Sequence, residues 1–322
     1  GKKLPDLAKA NSLVLKAGYN LGDTMETARN RYQISKAPVQ AGVYRKISGN
    51  EALVYGLVAA SKLSKRELLY SGYPITPASP VLEGLSQLKN FGVKCVQAAD
   101  EIAAMGVALG ASFAVDLTVC ATSGPGMCLK SEFIGLASIT ELPLIICNVQ
   151  RGGPSTGLPT KTEQSDLLQA LYSRHGDCPL PILAAHSPSD CFDVAIEAAR
   201  IALTYMTPVI LLSDLYVANG AEPWRVPNVA DLPVIENSFA SPDEEYVIYR
   251  RDQETLARSQ AIPGQVGLEH RIGGLEKGED GGVSYDPDNH EEMSHLRAQK
   301  VEGIAKSFDP VKINGDQEGD LL

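Results

Sequence analysis

Between positions 67 and 214 short apolar runs alternate with longer stretches whose apolar positions recur every three or four residues. The runs at 68–71, 94–97, 117–121, 144–149, 181–185 and 209–213 are bounded by turn residues and read as buried strands. The stretches at 79–90, 100–114, 127–140, 163–174 and 188–205 read as helices. This alternation implies right-handed crossovers and an α/β fold, a mostly parallel sheet with helices on both faces. Ahead of it, Ser48-Gly-Asn-Glu51 opens a further helix to about position 64, with Ser48 or Asn50 as its cap. Residues 1–48 hold one amphipathic helix, 8–19, and then a polar passage with little apolar clustering, the pattern of a connector. After Tyr216 the strand–helix pattern stops. Residues 219–285 are rich in proline, glycine and acids, 287–304 should form a charged helix, and 307–322 reads as an acidic, poorly structured end. A strand-poor segment of that length is expected to wrap a neighbouring domain or chain. The chain therefore divides at 1–48, 49–218 and 219–322.

The ends of successive strands carry the candidate chemistry. The first is followed by Gly72-Tyr-Pro-Ile-Thr-Pro77, a loop stiffened by two prolines and presenting the Thr76 hydroxyl. The second leads into Ala98-Ala-Asp-Glu101, with Glu101 in the first turn of a helix rich in small residues. The third ends in Thr122-Ser-Gly-Pro-Gly126, where Ser123 and Gly124 form a small-residue turn entering a helix. The fourth reaches Arg151 and the loop Gly152-Gly-Pro-Ser-Thr-Gly-Leu-Pro-Thr-Lys161. Arg151 offers a two-pronged donor for a carboxylate or phosphate. In a parallel sheet these four loops share the carboxyl edge, where ligands of such folds bind, so a hydroxyl, a carboxylate, a helix entrance and a guanidinium converge there. Each also has a plain structural role: Thr76 as a helix start, Glu101 as a dipole-favoured acid, Ser123 as an N-cap, Arg151 as an exposed loop cation.

Composition narrows the field. A net charge of −10 weighs against nucleic acid or an anionic membrane as partner. No run approaches the roughly 18 apolar residues of a membrane span, and Gly1-Lys-Lys-Leu-Pro5 lacks an apolar signal core, so the chain reads as soluble and cytoplasmic. The six cysteines are widely spaced, and with no CxxC pair they encode neither a zinc ribbon nor an iron–sulfur site. His290 and His295 resemble a zinc-protease pair, but five residues turn a helix by about 140°, so the rings diverge. No metal ligand is assigned to this chain. GxGxxG, GxxxxGK[ST] and GxSxG are absent as well, which removes the usual dinucleotide, triphosphate and serine-hydrolase readings.

Taken together, Tyr73-Pro-Ile-Thr-Pro77, Ala99-Asp-Glu101, Ala121-Thr-Ser-Gly-Pro-Gly126 and Asn148-Val-Gln-Arg-Gly-Gly-Pro-Ser-Thr-Gly157 resemble the 2-oxoacid:ferredoxin oxidoreductases, and most nearly the alpha subunits of their 2-oxoglutarate branch. Tyr44-Arg-Lys-Ile-Ser-Gly-Asn-Glu-Ala52, Gly267-Leu-Glu-His270 and the helix around 290–300 extend the resemblance over about 40–306. Residues 1–40 look like the tail of the gamma domain that many relatives carry. The resemblance implies the pyrimidine-binding domain of a thiamine-diphosphate enzyme that converts 2-oxoglutarate and CoA to succinyl-CoA and carbon dioxide, with pyruvate or branched-chain 2-oxoacids as alternative substrates. It implies that Glu101 meets the aminopyrimidine, that Thr76, Ser123 and Gly124 also line the cofactor, and that Thr76, Arg151 and Thr160 bind the substrate. Lys161 is the candidate for the second carboxylate. Mg2+ and a [4Fe-4S] cluster are then expected on a beta subunit, ferredoxin as electron acceptor, and two copies of each subunit in a heterotetramer. A non-catalytic assembly module and an unrelated anion-binding α/β protein are the other classes compatible with the residues alone.

Overall fold

In the computed structural model, which describes residues 4–25, 32–309 and 315, the elements run in this order: α1 (Pro5–Thr24), β1 (Tyr44–Ser48), α2 (Gly49–Ser64), β2 (Leu68–Gly72), α3 (Ser79–Ser86), β3 (Val93–Gln97), α4 (Glu101–Phe113), β4 (Leu117–Thr122), α5 (Gly124–Leu129), α6 (Ser131–Thr140), β5 (Leu144–Gln150), α7 (Leu167–Tyr172), β6 (Ile182–Ala184), α8 (Asp190–Tyr205), β7 (Pro208–Asp214), α9 (Leu215–Asn219), β8 (Ala221–Arg225) and α10 (Pro287–Gly303). All six expected strands of the parallel sheet are present, shifted by no more than a residue at an end. Gly1–Gly42 and Val43–Leu322 are two separate units. In the first, α1 starts on a proline at its first turn and buries none of its residues. The expected acidic end from 310 onwards, Gly315 apart, lies outside the described residues.

The six strands β2 to β7 form one sheet in the order β3-β2-β4-β5-β7-β6, and every pairing in it is parallel. Successive strand residues point to opposite faces, and the core divides accordingly. From β5, Ile145, Cys147 and Val149 pack with Leu53 and Leu57 of α2 and Ala195 and Ala199 of α8. Leu144 and Ile146 instead join Ala104, Met105 and Ala108 of α4 and Ala137 of α6. Helices thus cover both faces, and the strand sequences are near-continuously apolar for that reason. Burying a Leu or Ile side chain contributes roughly 1.5–3 kcal/mol, so this pattern fixes the sheet. Ser48 caps α2 through a reciprocal box: its side chain accepts from the Glu51 N–H, and its own N–H donates to Glu51 Oε2 at 3.0 Å. Gly56 lets α2 approach α8 closely, because a Cβ there would strike the Phe192 carbonyl.

Three features depart from the periodicity. The helix expected at 127–140 is two helices, α5 and α6, that meet at Lys130, whose side chain is fully buried. The helix expected at 163–174 shrinks to α7, because Glu163 and Gln164 are committed to the loop before it. Glu163 Oε2 accepts from the Gly153 N–H at 3.2 Å, and Gln164 Nε2 donates to Asp214 Oδ2 at 2.7 Å. Finally, β1 and β8 pair antiparallel as a separate ribbon.

Beyond β8, regular structure is sparse until α10. That segment is tied down at Glu141, which sits in a left-handed conformation at the end of α6, before β5 begins. The Glu141 carboxylate receives Arg251 at 2.5 and 2.9 Å and also Lys300 of α10. Burial drives the Glu141 acid upward, but Lys300 and Arg251 outweigh it and hold the group down at about 2. The clamp stands at the amino edge of the sheet, away from the carboxyl-edge loops. Among the described residues, no helix is long and apolar enough to cross a membrane, and all six cysteines are free thiols.

Candidate active site

The four loops do share the carboxyl edge, and a cleft of about 890 Å³ opens between them, lined among others by Ile75, Glu101, Gly124, Arg151, Thr156 and Asp166. Glu101 occupies the first position of α4. Asp100 caps that helix by accepting from the Ala103 N–H at 2.8 Å, which turns the chain so that Glu101 enters the cleft wall. Glu101 Oε1 accepts a hydrogen bond from the Tyr73 hydroxyl at 2.5 Å, and that hydroxyl lies 3.0 Å from Thr122 Oγ1. Burial, together with the accepting carboxylate, pushes the Tyr73 phenol well above its ordinary value, so it stays a proton donor. Oε2 of Glu101 has no hydrogen-bond partner among the described residues. Gly126 makes this packing possible: any Cβ there would collide with Thr122 Oγ1 and the Tyr73 hydroxyl. Lys130, at the α5–α6 junction, donates to the Glu101 backbone carbonyl at 3.1 Å and stands 4.9 Å from the Tyr73 ring centroid.

Arg151 follows directly on β5 and is buried. Its guanidinium is already engaged: NH1 donates to the Thr76 carbonyl at 2.6 Å and NH2 to the Thr156 carbonyl at 3.1 Å. Nε is buried without a partner. The loop after it folds back on itself, with the Gly152 N–H donating to the Lys161 carbonyl at 2.9 Å and the Leu158 N–H to the Gly152 carbonyl at 2.8 Å. Asp166 closes the loop. It accepts from Asn148 Nδ2 at 2.9 Å, while its N–H donates to Gln150 Oε1 at 2.9 Å.

Glu101, Arg151 and Gly124 therefore meet in one cleft. Thr76 is exposed beside it and contributes its carbonyl to Arg151, not a hydroxyl to the lining. Ser123 occupies the N-cap position of α5 without making a cap bond, and its Oγ is buried without a partner. Thr160 and Lys161 are exposed and outside the lining. Tyr73, Lys130 and Asp166 were not singled out by sequence reasoning. Tyr73 stands in a conspicuous loop but, following an apolar strand, reads as core; a lone lysine inside a helical pattern reads as solvated surface.

Residues 64–282 match the family described as pyruvate flavodoxin/ferredoxin oxidoreductase, thiamine-diphosphate-binding. The chain is 56% identical over 301 residues to the 2-oxoglutarate oxidoreductase subunit KorA of Mycobacterium tuberculosis, a match covering 93% of this chain and 46% of that protein. It is 42% identical over 191 residues to the 2-oxoglutarate synthase subunit KorA of Archaeoglobus fulgidus, covering 59% of this chain and 54% of that one. Among solved structures, a 2-oxoglutarate:ferredoxin oxidoreductase from Magnetococcus marinus with 2-oxoglutarate, coenzyme A and succinyl-CoA bound superposes with a TM-score of 0.85 at 33% identity, over 95% of this chain and 52% of that chain. The chain spans about half the length of the curated relatives it matches.

Proposed function

The chain belongs to the pyruvate flavodoxin/ferredoxin oxidoreductase family with a thiamine-diphosphate-binding domain, and on that premise we propose that it carries the cofactor-ring half of a 2-oxoglutarate:ferredoxin oxidoreductase. The reaction is oxidative decarboxylation of 2-oxoglutarate with CoA to succinyl-CoA and carbon dioxide. Thiamine diphosphate, when bound, supplies the electron sink that allows a 2-oxoacid to lose carbon dioxide.

The residues fit the aminopyrimidine end of that cofactor. Glu101 has one oxygen committed to Tyr73 and one uncommitted, as a carboxylate needs in order to hold a ring nitrogen and manage its proton. Gly124 leaves room at the helix entrance, and the unpartnered Ser123 Oγ is a buried polar atom of the same turn. Arg151, which lines the cleft with its guanidinium plane set by the Thr76 and Thr156 carbonyls, holds the substrate carboxylate, and the role of Thr76 is to set that guanidinium through its carbonyl; orientation of this kind is worth several orders of magnitude in rate. The exposed side chains of Thr160 and Lys161 lie outside the cleft lining. The lining sets one guanidinium against the carboxylates of Glu101, Glu163 and Asp166, a poor home for a diphosphate. The diphosphate with its Mg2+ and the [4Fe-4S] cluster are therefore assigned to a partner beta subunit, which passes electrons to ferredoxin. Exposed Ile102, Leu129, Leu168 and Tyr172, from helices whose residues border the cleft, suit coverage by that partner. We assign the assembly two copies of each subunit and a cytoplasmic location, with residues 1–48 as a connector, 49–218 as the cofactor-ring domain and 219–322 as a segment that serves a neighbouring domain or chain. The relatives' names favour 2-oxoglutarate over pyruvate or branched-chain acids.

The observation that carries this reading is the meeting of Glu101 and Arg151, brought from different strands, in one cleft. Glu101→Gln in the complex with the partner subunit tests it. Turnover of 2-oxoglutarate, followed as viologen reduction, should fall by roughly 10²–10⁴-fold with assembly intact; undiminished turnover would leave a non-catalytic module as the better account.

A further inference from the structure

Glu101 begins a helix at the edge of an open cleft, half-buried. A carboxylate so placed has several rotamers open to it, and a role in catalysis demands one. We propose that Tyr73 is the positioning residue for Glu101: the phenol holds Oε1, fixes the carboxylate plane and leaves Oε2 as the single oxygen that faces the cofactor ring. The inference rests on the function proposed above insofar as Glu101 addresses that ring.

Four observations converge on it. The phenol–carboxylate separation of 2.5 Å is that of a charge-assisted bond, shorter than the 3.0 Å to Thr122 Oγ1. Had Tyr73 been only a packed aromatic with a satisfied hydroxyl, Thr122 alone would have sufficed. Second, the ring is itself held: Tyr73 is 9% exposed, and the Lys130 ammonium stands 4.9 Å from its centroid. Third, Lys130 is completely buried and has no acidic side-chain partner among the described residues. Its bond to the Glu101 carbonyl and its place over the Tyr73 ring join the first turn of α4, the loop after β2 and the α5–α6 junction at one point. Fourth, a side chain at Gly126 would strike both Thr122 Oγ1 and the Tyr73 hydroxyl, and glycine there keeps that space clear. The residues around the phenol are thus arranged so that its hydroxyl can address Glu101 and nothing displaces it.

Tyr73→Phe removes the hydroxyl and keeps the ring beneath Lys130. The experiment uses the complex with its partner subunit and compares wild type, Tyr73→Phe and Glu101→Gln. The readouts are the thermal midpoint, the equilibrium Kd for thiamine diphosphate, the rate at which the bound cofactor's C2 proton exchanges with D2O in the absence of 2-oxoacid, and the separate kcat and KM. For Tyr73→Phe we expect proton exchange and kcat to fall together by about tenfold, the loss of one hydrogen bond to a charged group, with the midpoint and the KM for the 2-oxoacid held. Unchanged exchange and kcat in Tyr73→Phe, with both lost in Glu101→Gln, would overturn the positioning role and leave the proposed function standing. Unchanged exchange in Glu101→Gln would overturn the function reading itself. If Tyr73→Phe folds poorly, fluorotyrosines placed at position 73 keep the shape and alter only the phenol acidity. The exchange rate should then follow that acidity, and a rate independent of it would overturn the proposal.

Discussion

Arg151 is preset by main chain, not by acids. Its two terminal nitrogens are held by the Thr76 and Thr156 carbonyls, which fix the plane of the guanidinium without neutralising it. A cation aimed in this way retains its charge for an incoming carboxylate. Arg151→Lys keeps the charge and loses the fork, so the KM for the 2-oxoacid should rise by about tenfold or more in steady-state kinetics, with kcat changed less. A loss confined to kcat would place Arg151 elsewhere in the reaction. Gly126→Ala forces a methyl group against Thr122 and Tyr73; it should cost about 1–3 kcal/mol, read as a lower thermal midpoint. At this scale Arg151 was legible because a lone guanidinium directly follows an apolar strand, and Glu101 because the loop words that resemble the family single it out from Asp100 beside it. Tyr73 and Lys130 were not, since an aromatic and a lysine each have a commoner explanation, and only the fold reveals that they touch Glu101.

Among the elements, the parallel sheet was plain in the sequence because each central strand is buried on both faces and so is written in near-continuous apolar residues. The β1–β8 ribbon escaped notice for the opposite reason: Tyr44, Arg45 and Lys46 are exposed, and β8 carries Pro223 at its centre, a residue that argues against a strand. The break between α5 and α6 and the shortening of α7 depend on side-chain partners distant in sequence, which periodicity does not register. The clamp at Glu141 makes a testable contribution to stability. Its folded value of about 2 lies below the 4.5 of the unfolded chain, so the folded state binds the proton less readily. The stabilisation is therefore fully present above about pH 4.5 and is lost as pH falls from there toward about 2. Urea unfolding across that range should show the slope in wild type. Glu141→Gln should flatten it and, by leaving Arg251 and Lys300 buried without their acid, destabilise the protein at neutral pH by about 3–5 kcal/mol. An unaltered pH slope would remove Glu141 from the account.

At the scale of the whole molecule, the proposed function makes this chain half of a site. On that proposal its cleft offers a carboxylate for a ring and a guanidinium for an acid, while its three acids leave the diphosphate to a partner. Its neighbouring helices expose Ile102, Leu168 and Tyr172. The chain alone is accordingly expected to show no 2-oxoacid-dependent dye reduction, and the complex with its partner to prefer 2-oxoglutarate; equal rates on pyruvate would contradict the substrate assignment. Everything proposed turns on where the aminopyrimidine lies, and a cryo-EM structure of the complete complex with thiamine diphosphate bound measures that directly. The account predicts the Glu101 carboxylate at hydrogen-bond distance, about 2.6–3.2 Å, from a ring nitrogen, with Tyr73 still on its other oxygen. A cofactor ring seated away from Glu101, with this cleft closed or filled by the partner's side chains, would contradict it.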